Sequence, residues 1–242
     1  HYVLSGFQGD KPIILKLGMD LEGLKREAAA LKAFSGFGVV KILWESDGLL
    51  LLERAVPGIS LKSYFPSKDN EAIQIACTCL KRVHRTPIPY AHKFPHIRNW
   101  LTLLDKDWDI SDIYLNKSRQ LRDNLLASVQ TTVLLHGDLH HDNILKNGDT
   151  WVIIDPKGVV GEPAYEVAAF IRNPIPALLT QDNVADIISD RIAQFAQILQ
   201  LPQQRIMDWC FVQAVLAWGW ALEDGGDVTH FKQLTALFDR LK

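Results

Sequence analysis

The chain has 242 residues, and 26 Lys plus Arg against 28 Asp plus Glu leave a formal net charge of −2, with 48% apolar and 22% charged residues. These proportions set aside disordered, collagen-like and coiled-coil scaffolds. Without a Lys/Arg block there is also no electrostatic footprint for nucleic acid.

No apolar run approaches the roughly 18 to 20 residues that cross a bilayer. The longest obvious one, Gly48 to Leu52, stops at Glu53 and Arg54. Cys77, Cys79 and Cys210 have no paired spacing and read as reduced, buried thiols. With no secretory pattern at the start, the expectation is a cytoplasmic chain with no membrane segment and no obligate protein partner. Length alone allows one large domain or two unequal lobes.

In chain order, Tyr2 to Phe7 and Ile13 to Leu17 flank a turn at Gln8-Gly9-Asp10-Lys11-Pro12, the pattern of a hairpin. Leu21, Leu24, Ala28, Leu31 and Phe34 recur at helical spacing. Val39 to Trp44 and Leu49 to Leu52 read as two more strands around Ser46-Asp47-Gly48. Composition then shifts at Val56-Pro57-Gly58, which predicts a small antiparallel-sheet lobe over 1–56 and a larger, mainly helical lobe over 57–242. Helical patterns run from Glu71 to Arg85, Ile97 to Lys106, Asp112 to Val129, Asn183 to Leu199, Arg205 to Glu223 and Val228 to Leu241. Three short β-like runs interrupt them: Val133 to Leu135, Ile144 to Lys146 and Trp151 to Ile154. The Asn147-Gly148 step between the last two is a strong hairpin signal.

The densest polar cluster, His136-Gly137-Asp138-Leu139-His140-His141-Asp142-Asn143, enters that hairpin, and Asp155 ends its returning strand. A four-residue loop at Asn147 to Thr150 pairs Lys146 with Trp151 and sets Asn143 opposite Ile154, one residue from Asp155. An amide oxygen and a carboxylate then meet as hard ligands suited to Mg²⁺. Asp138 lies on the entering loop, free to take a proton from a hydroxyl. Metal-bridged phosphates and a positioned carboxylate are the machinery of phosphoryl transfer. The missing cation is supplied by Lys16, placed within an apolar strand where an ammonium needs a partner, and Glu27 on the next helix can be that partner. Lysine on a strand, glutamate on a helix, Asp-x4-Asn and a strand-end Asp follow the order of kinase parts.

On these residues the chain resembles the aminoglycoside phosphotransferase family, whose catalytic loop is written here as His136 to Asn143. Trp151 to Gly158, Gly161 to Glu166, Arg172-Asn173-Pro174 and Trp218 to Gly225 are similar to the streptomycin 6-kinase and hydroxyurea-resistance kinase branch. The resemblance implies an α+β, protein-kinase-like bilobal fold and transfer of the γ-phosphoryl group of ATP, with Mg²⁺, to a hydroxyl of an aminoglycoside or related small polar acceptor. It assigns Asp138 as base, Asn143 and Asp155 as metal ligands, Lys16 and Glu27 as the phosphate-binding pair, and Glu53 to Val56, including Ala55, as the segment that meets adenine. His136 is a brace of the loop, and Glu166 is another where the family usually has Asp. A second departure is that no first strand and phosphate-covering loop precede the hairpin. Gly6 and Gly9 lie too near Lys16 to form one.

Other readings stand beside these. Glu223 and Asp224, in the acidic turn Glu223 to Asp227, suit a cationic acceptor and equally a solvated helix end. Trp209, Trp218 and Trp220 suit a core or a substrate platform, and Lys157 either faces solvent or makes a second phosphate contact. The three close histidines admit a metal-hydrolase alternative, though the remaining histidines supply no second ligand motif. A kinase of choline, homoserine or a sugar-like metabolite, or a non-catalytic nucleotide-binding protein, uses the same fold.

Overall fold

In the computed structural model, which describes residues 2–90 and 93–241, the opening hairpin forms as β1 (Tyr2–Gln8) and β2 (Lys11–Leu17). Helix α1 (Leu21–Ala33) begins at Asp20, whose carboxylate accepts from the Gly23 amide at 2.9 Å, an N-cap that satisfies one orphan donor of the first turn. Strands β3 (Ile42–Ser46) and β4 (Leu49–Glu53) complete an antiparallel sheet in the order β1-β2-β4-β3. The predicted strand from Val39 is shorter than expected. Val39 makes only an isolated bridge to Ile153, and β3 begins at Ile42.

The break at Val56-Pro57-Gly58 carries a strand of its own, β5 (Pro57–Ser60), followed by a short 3-10 turn and α2 (Asp69–Val83). The next predicted helix tightens after one turn: α3 (Ile97–Leu101) passes into a 3-10 segment, Thr102–Asp105. After α4 (Asp112–Ala127) come β6 (Val133–Leu135), β7 (Ile144–Asn147), β8 (Thr150–Ile153) and β9 (Val159–Gly161). β5, β7 and β8 make one sheet and β6 pairs with β9. The predicted hairpin register holds, with Lys146 opposite Trp151, while Asn147 pairs with Thr150 so that the turn proper is two residues. Four helices follow: α5 (Pro163–Ile171), α6 (Val184–Leu199), α7 (Gln203–Glu223) and α8 (Thr229–Arg240). Of these, α5 was not anticipated by the helical spacing.

The chain divides into two compact units, His1–Pro95 with Val133–Val160, and His96–Thr132 with Gly161–Lys242. The boundary expected at Val56-Pro57-Gly58 therefore falls inside the first unit. The cause is β5, which crosses from the opening sheet to lie beside β7 and draws the β7–β8 hairpin into that unit.

In the first unit α1 turns Leu24, Glu27, Ala28 and Leu31 inward, one stripe of a helix at 3.6-residue spacing. Backbone bonds between the stretch before β3 and the hairpin, Val40 N–H to Ile153 O at 3.0 Å and Ile153 N–H to Gly38 O at 2.9 Å, fix the hairpin against the opening sheet. In the second unit α7 is buried on almost every side from Ile206 to Gly219, and it packs against α4, α5, α6 and α8. Gly219 lets Leu103 pack close to the helix, since a β-carbon would meet the end of that side chain at 2.8 Å. Trp209 and Trp218 are buried in this helix, so both belong to the core.

Candidate active site

Lys16 is the buried residue of an otherwise half-exposed strand, and Glu27 lies on the buried stripe of α1. Two unlike charges on facing buried surfaces find each other: the Lys16 ammonium donates to both oxygens of Glu27 at 2.7 Å and to Oδ1 of Asp155 at 2.8 Å. Burial works against the ammonium, but Glu27 and Asp155 outweigh it and hold the lysine above its ordinary range.

The loop from His136 to Asn143 is folded by its own side chains. His136 is fully buried; its Nδ1 accepts from the Asp138 amide at 3.1 Å and its Nε2 stands 2.7 Å from the Ile154 carbonyl. An acceptor at one nitrogen and a carbonyl at the other assign the hydrogen to Nε2. His140 repeats the device, with Nδ1 accepting from Asp142 at 3.3 Å and Nε2 3.7 Å from an oxygen of Asp138. Two of the three neighbouring histidines thus shape the loop. Among the described residues, no group of three or more His, Cys, Asp or Glu is arranged to hold a metal.

Asn143 donates its amide nitrogen to the Asp138 carbonyl at 2.9 Å, so the side-chain oxygen is the atom left for a cation. Asp155 follows β8 in the left-handed region, with φ 57, a conformation uncommon outside glycine and concentrated at functional positions. Its Oδ2 accepts from Lys157 at 2.8 Å. Burial pushes the Asp155 carboxyl up, but Lys157 and Lys16 outweigh burial and hold it down to about 2. Gly158 also has positive φ, and a β-carbon there would strike Ala30 and Phe94 at 2.9 Å. The Lys157 and Gly158 amides both point to the His136 carbonyl, at 2.7 and 3.3 Å. The Asp-Pro-Lys-Gly stretch is therefore pinned to the loop.

Lys16, Glu27, Asn143 and Asp155 share one cavity of about 580 Å³, which Glu53 and Ala55 also line. Ile14, Val40, Leu52, Leu145 and Ile154 give it apolar walls. Backbone bonding decides which of its groups are available. Arg54 N–H goes to Pro12 O at 3.2 Å, Val56 N–H to the Asn147 side chain at 3.1 Å, and Val56 O accepts from Gly148 at 2.7 Å. That leaves the Ala55 amide as a donor with no protein acceptor among the described residues. Two hard oxygens, from Asn143 and Asp155, fit a Mg²⁺ ion, which keeps waters and phosphate oxygens for its other positions.

Asp138 is one-third exposed on its loop and is not among the cavity-lining residues. Glu166 is buried in the first turn of α5. Glu223 is held by Lys106 at 2.6 Å and Asp224 caps α7, so the acidic turn has at least one of its carboxylates already paired. Spacing did not decide the place of Lys157. Nor did it reveal Asn147 as the side chain that takes the Val56 amide.

The fold, a small antiparallel sheet with a mainly helical remainder, is protein-kinase-like. The solved ternary complex of a thermostable mutant of aminoglycoside phosphotransferase APH(4)-Ia with AMP-PNP and hygromycin B matches with TM-score 0.70, covering 99% of this chain and 92% of that one at 14% identity. The chain belongs to the aminoglycoside/hydroxyurea antibiotic resistance kinase family, whose model matches residues 4–225. It is 28% identical over 235 residues to streptomycin 3''-kinase of Klebsiella pneumoniae, covering 93% of this chain and 85% of that protein. It is 24% identical over 225 residues to streptomycin 6-kinase of Streptomyces griseus, covering 87% and 71%.

Proposed function

We propose that the protein transfers the γ-phosphoryl group of ATP to a hydroxyl of a streptomycin-like aminoglycoside or a related small polar acceptor. The observation that carries this is the convergence of Lys16, Glu27, Asn143 and Asp155 on one cavity bordered by Glu53 to Val56. Adenine occupies the apolar end, with the Ala55 amide as donor. Lys16, held in place by Glu27, meets the α- and β-phosphates. Asn143 and Asp155 would hold Mg²⁺, which would supply neutralisation of the charge that develops on the phosphate during transfer.

Asp138 orients the acceptor hydroxyl. As the bond from the acceptor oxygen to the γ-phosphorus forms, the bond from that phosphorus to the bridging oxygen breaks and ADP leaves with its electron pair. The hydroxyl proton passes to the Asp138 carboxylate late, because a loose transition state asks little of a base. Two relatives named for streptomycin support an acceptor of that kind, for which the carboxylates of the acidic turn, Glu223 and Asp224, are the candidate partners. The protein works as a cytoplasmic enzyme with no macromolecular substrate. Coupled ADP release measured across aminoglycosides, hydroxyurea and metabolite alcohols tests this: turnover with an aminoglycoside of the streptomycin type is expected, and turnover confined to choline or a sugar-like alcohol overturns the acceptor assignment.

A further inference from the structure

We propose that Lys157 is a displaceable counter-cation of Asp155: its ammonium holds Oδ2 until a divalent cation arrives, then moves onto the phosphate oxygens of the nucleotide during transfer. The inference rests on the nucleotide site described above and adds a residue to its machinery.

The two oxygens of Asp155 are divided between two lysines, Oδ1 to Lys16 and Oδ2 to Lys157, each at 2.8 Å. Those lysines differ in freedom. Lys16 has a side chain 9% exposed and is held by both oxygens of Glu27. Lys157 has a side chain 43% exposed, and among the described residues its one side-chain hydrogen bond is to Asp155, with Glu27 acting on it only at longer range. The main chain at Lys157 is tied in place: its amide is bonded to the His136 carbonyl, and the next residue is a glycine packed against Ala30 and Phe94. Only the four-carbon arm is free to swing, on a fixed base.

A metal ion taking a carboxylate oxygen meets Lys16 at one and Lys157 at the other. The buried, doubly held lysine stays. The exposed one leaves, because an ammonium and a divalent cation on a single carboxylate oxygen repel each other. Lys157 is not among the residues lining the cavity, but its four-carbon arm, once released from Asp155, can reach a phosphoryl group held at that carboxylate, where a positioned cation stabilises the charge of the transition state. Lys157 thus keeps Asp155 neutralised when the site is empty and becomes a catalytic residue when it is loaded.

The test titrates Mg²⁺ calorimetrically into wild type, Lys157→Met and Lys157→Arg, each with saturating AMP-PNP, and measures turnover by coupled ADP release at saturating Mg²⁺. Lys157→Met is expected to bind Mg²⁺ about two- to fivefold tighter, the range set by losing a half-exposed ion pair. Its kcat is expected to fall about tenfold or more, as for loss of a positioned charge in the transition state, with partial recovery in Lys157→Arg. A general loss of structure would weaken both quantities, so tighter metal binding with slower turnover is specific to displacement. Unchanged or weaker Mg²⁺ binding in Lys157→Met overturns the competition, and unchanged kcat overturns the phosphate role. If wild type binds no Mg²⁺ with AMP-PNP, the nucleotide site itself is wrong and the inference falls with it; if wild type binds and Lys157→Met is indistinguishable, the role of Lys157 alone is wrong.

Discussion

Each compact unit buries a carboxylate against a cation, and the two clusters differ in what surrounds them. In the second unit Glu162 is 5% exposed and accepts from Arg205 at 2.6 Å and from the Trp209 indole. Arg205 spends its remaining donors on the Leu125 carbonyl and the Ser128 hydroxyl. That cluster is closed by partners from α7 and the end of α4, and Glu162 does not line the cavity at Lys16. In the first unit Lys16, Glu27, Asp155 and Lys157 balance in charge as well, yet Lys16, Glu27 and Asp155 border an open cavity and the aspartate is left-handed. Buried charge by itself is therefore a poor sign of chemistry. Charge that faces a cavity, on backbone held in a costly conformation, is a better one.

The sharpest way to break the comparison is to strike the chemistry and leave both clusters intact. Asp138→Asn is expected to lower turnover by about a hundredfold or more while sparing nucleotide affinity, the usual yield of a positioned base; near wild-type rates by coupled ADP release would remove Asp138 from its role. Next comes the open cluster. Lys16→Met leaves Glu27 buried without its cation and is expected to cost about 3 kcal/mol in denaturant unfolding. The double variant Lys16→Met, Glu27→Met recovers most of that stability, since an apolar pair of similar size replaces the ionic one, but does not recover nucleotide binding. Recovery of both would make the pair structural, like its counterpart.

The closed cluster predicts the opposite separation. Glu162→Gln is expected to cost about 2 kcal/mol of stability through a weakened buried hydrogen-bond set, with the KM for ATP unchanged. The smallest effect is a pH dependence. Asp155 is held at about 2 against an ordinary 3.8, so its contribution to stability is complete above about pH 5 and is lost as pH falls from 4 toward 2. Melting temperature against pH should accordingly fall less steeply over that range in Asp155→Asn; an unchanged acid limb would mean that the lysines do not hold the carboxylate.

Much of the open cluster was legible in the sequence, because its members break local patterns. Lys16 interrupts an apolar strand, and Glu27 stands among Leu24, Ala28 and Leu31 on a helix stripe. Asn147-Gly148 fixed the hairpin register, and with it Asn143 opposite Ile154, whose amide donates to the Asn143 carbonyl at 3.0 Å. Lys157 was not legible for a physical reason: the left-handed Asp155 takes the chain out of β8 and ends the alternation that would say which way the next side chains face. β5 was hidden because Pro57 and Gly58 read as a break, and it pairs with β7 at only two positions, Pro57 with Asn147 and Ser60 with Leu145. Pro163 at the first turn of α5 was the available signal for that helix. In α7 the helix was visible but its burial was not, since apolar residues on every side leave periodicity no face to mark.

Whether the cavity at Lys16 and Asp155 binds a nucleotide together with a divalent cation decides the proposed function. Calorimetric titration of AMP-PNP into wild type and Asp155→Ala, with and without Mg²⁺, tests it most directly. Binding that depends on Mg²⁺ in wild type and disappears in Asp155→Ala is the predicted result; equal affinity in the two proteins, whether or not Mg²⁺ is present, would contradict it.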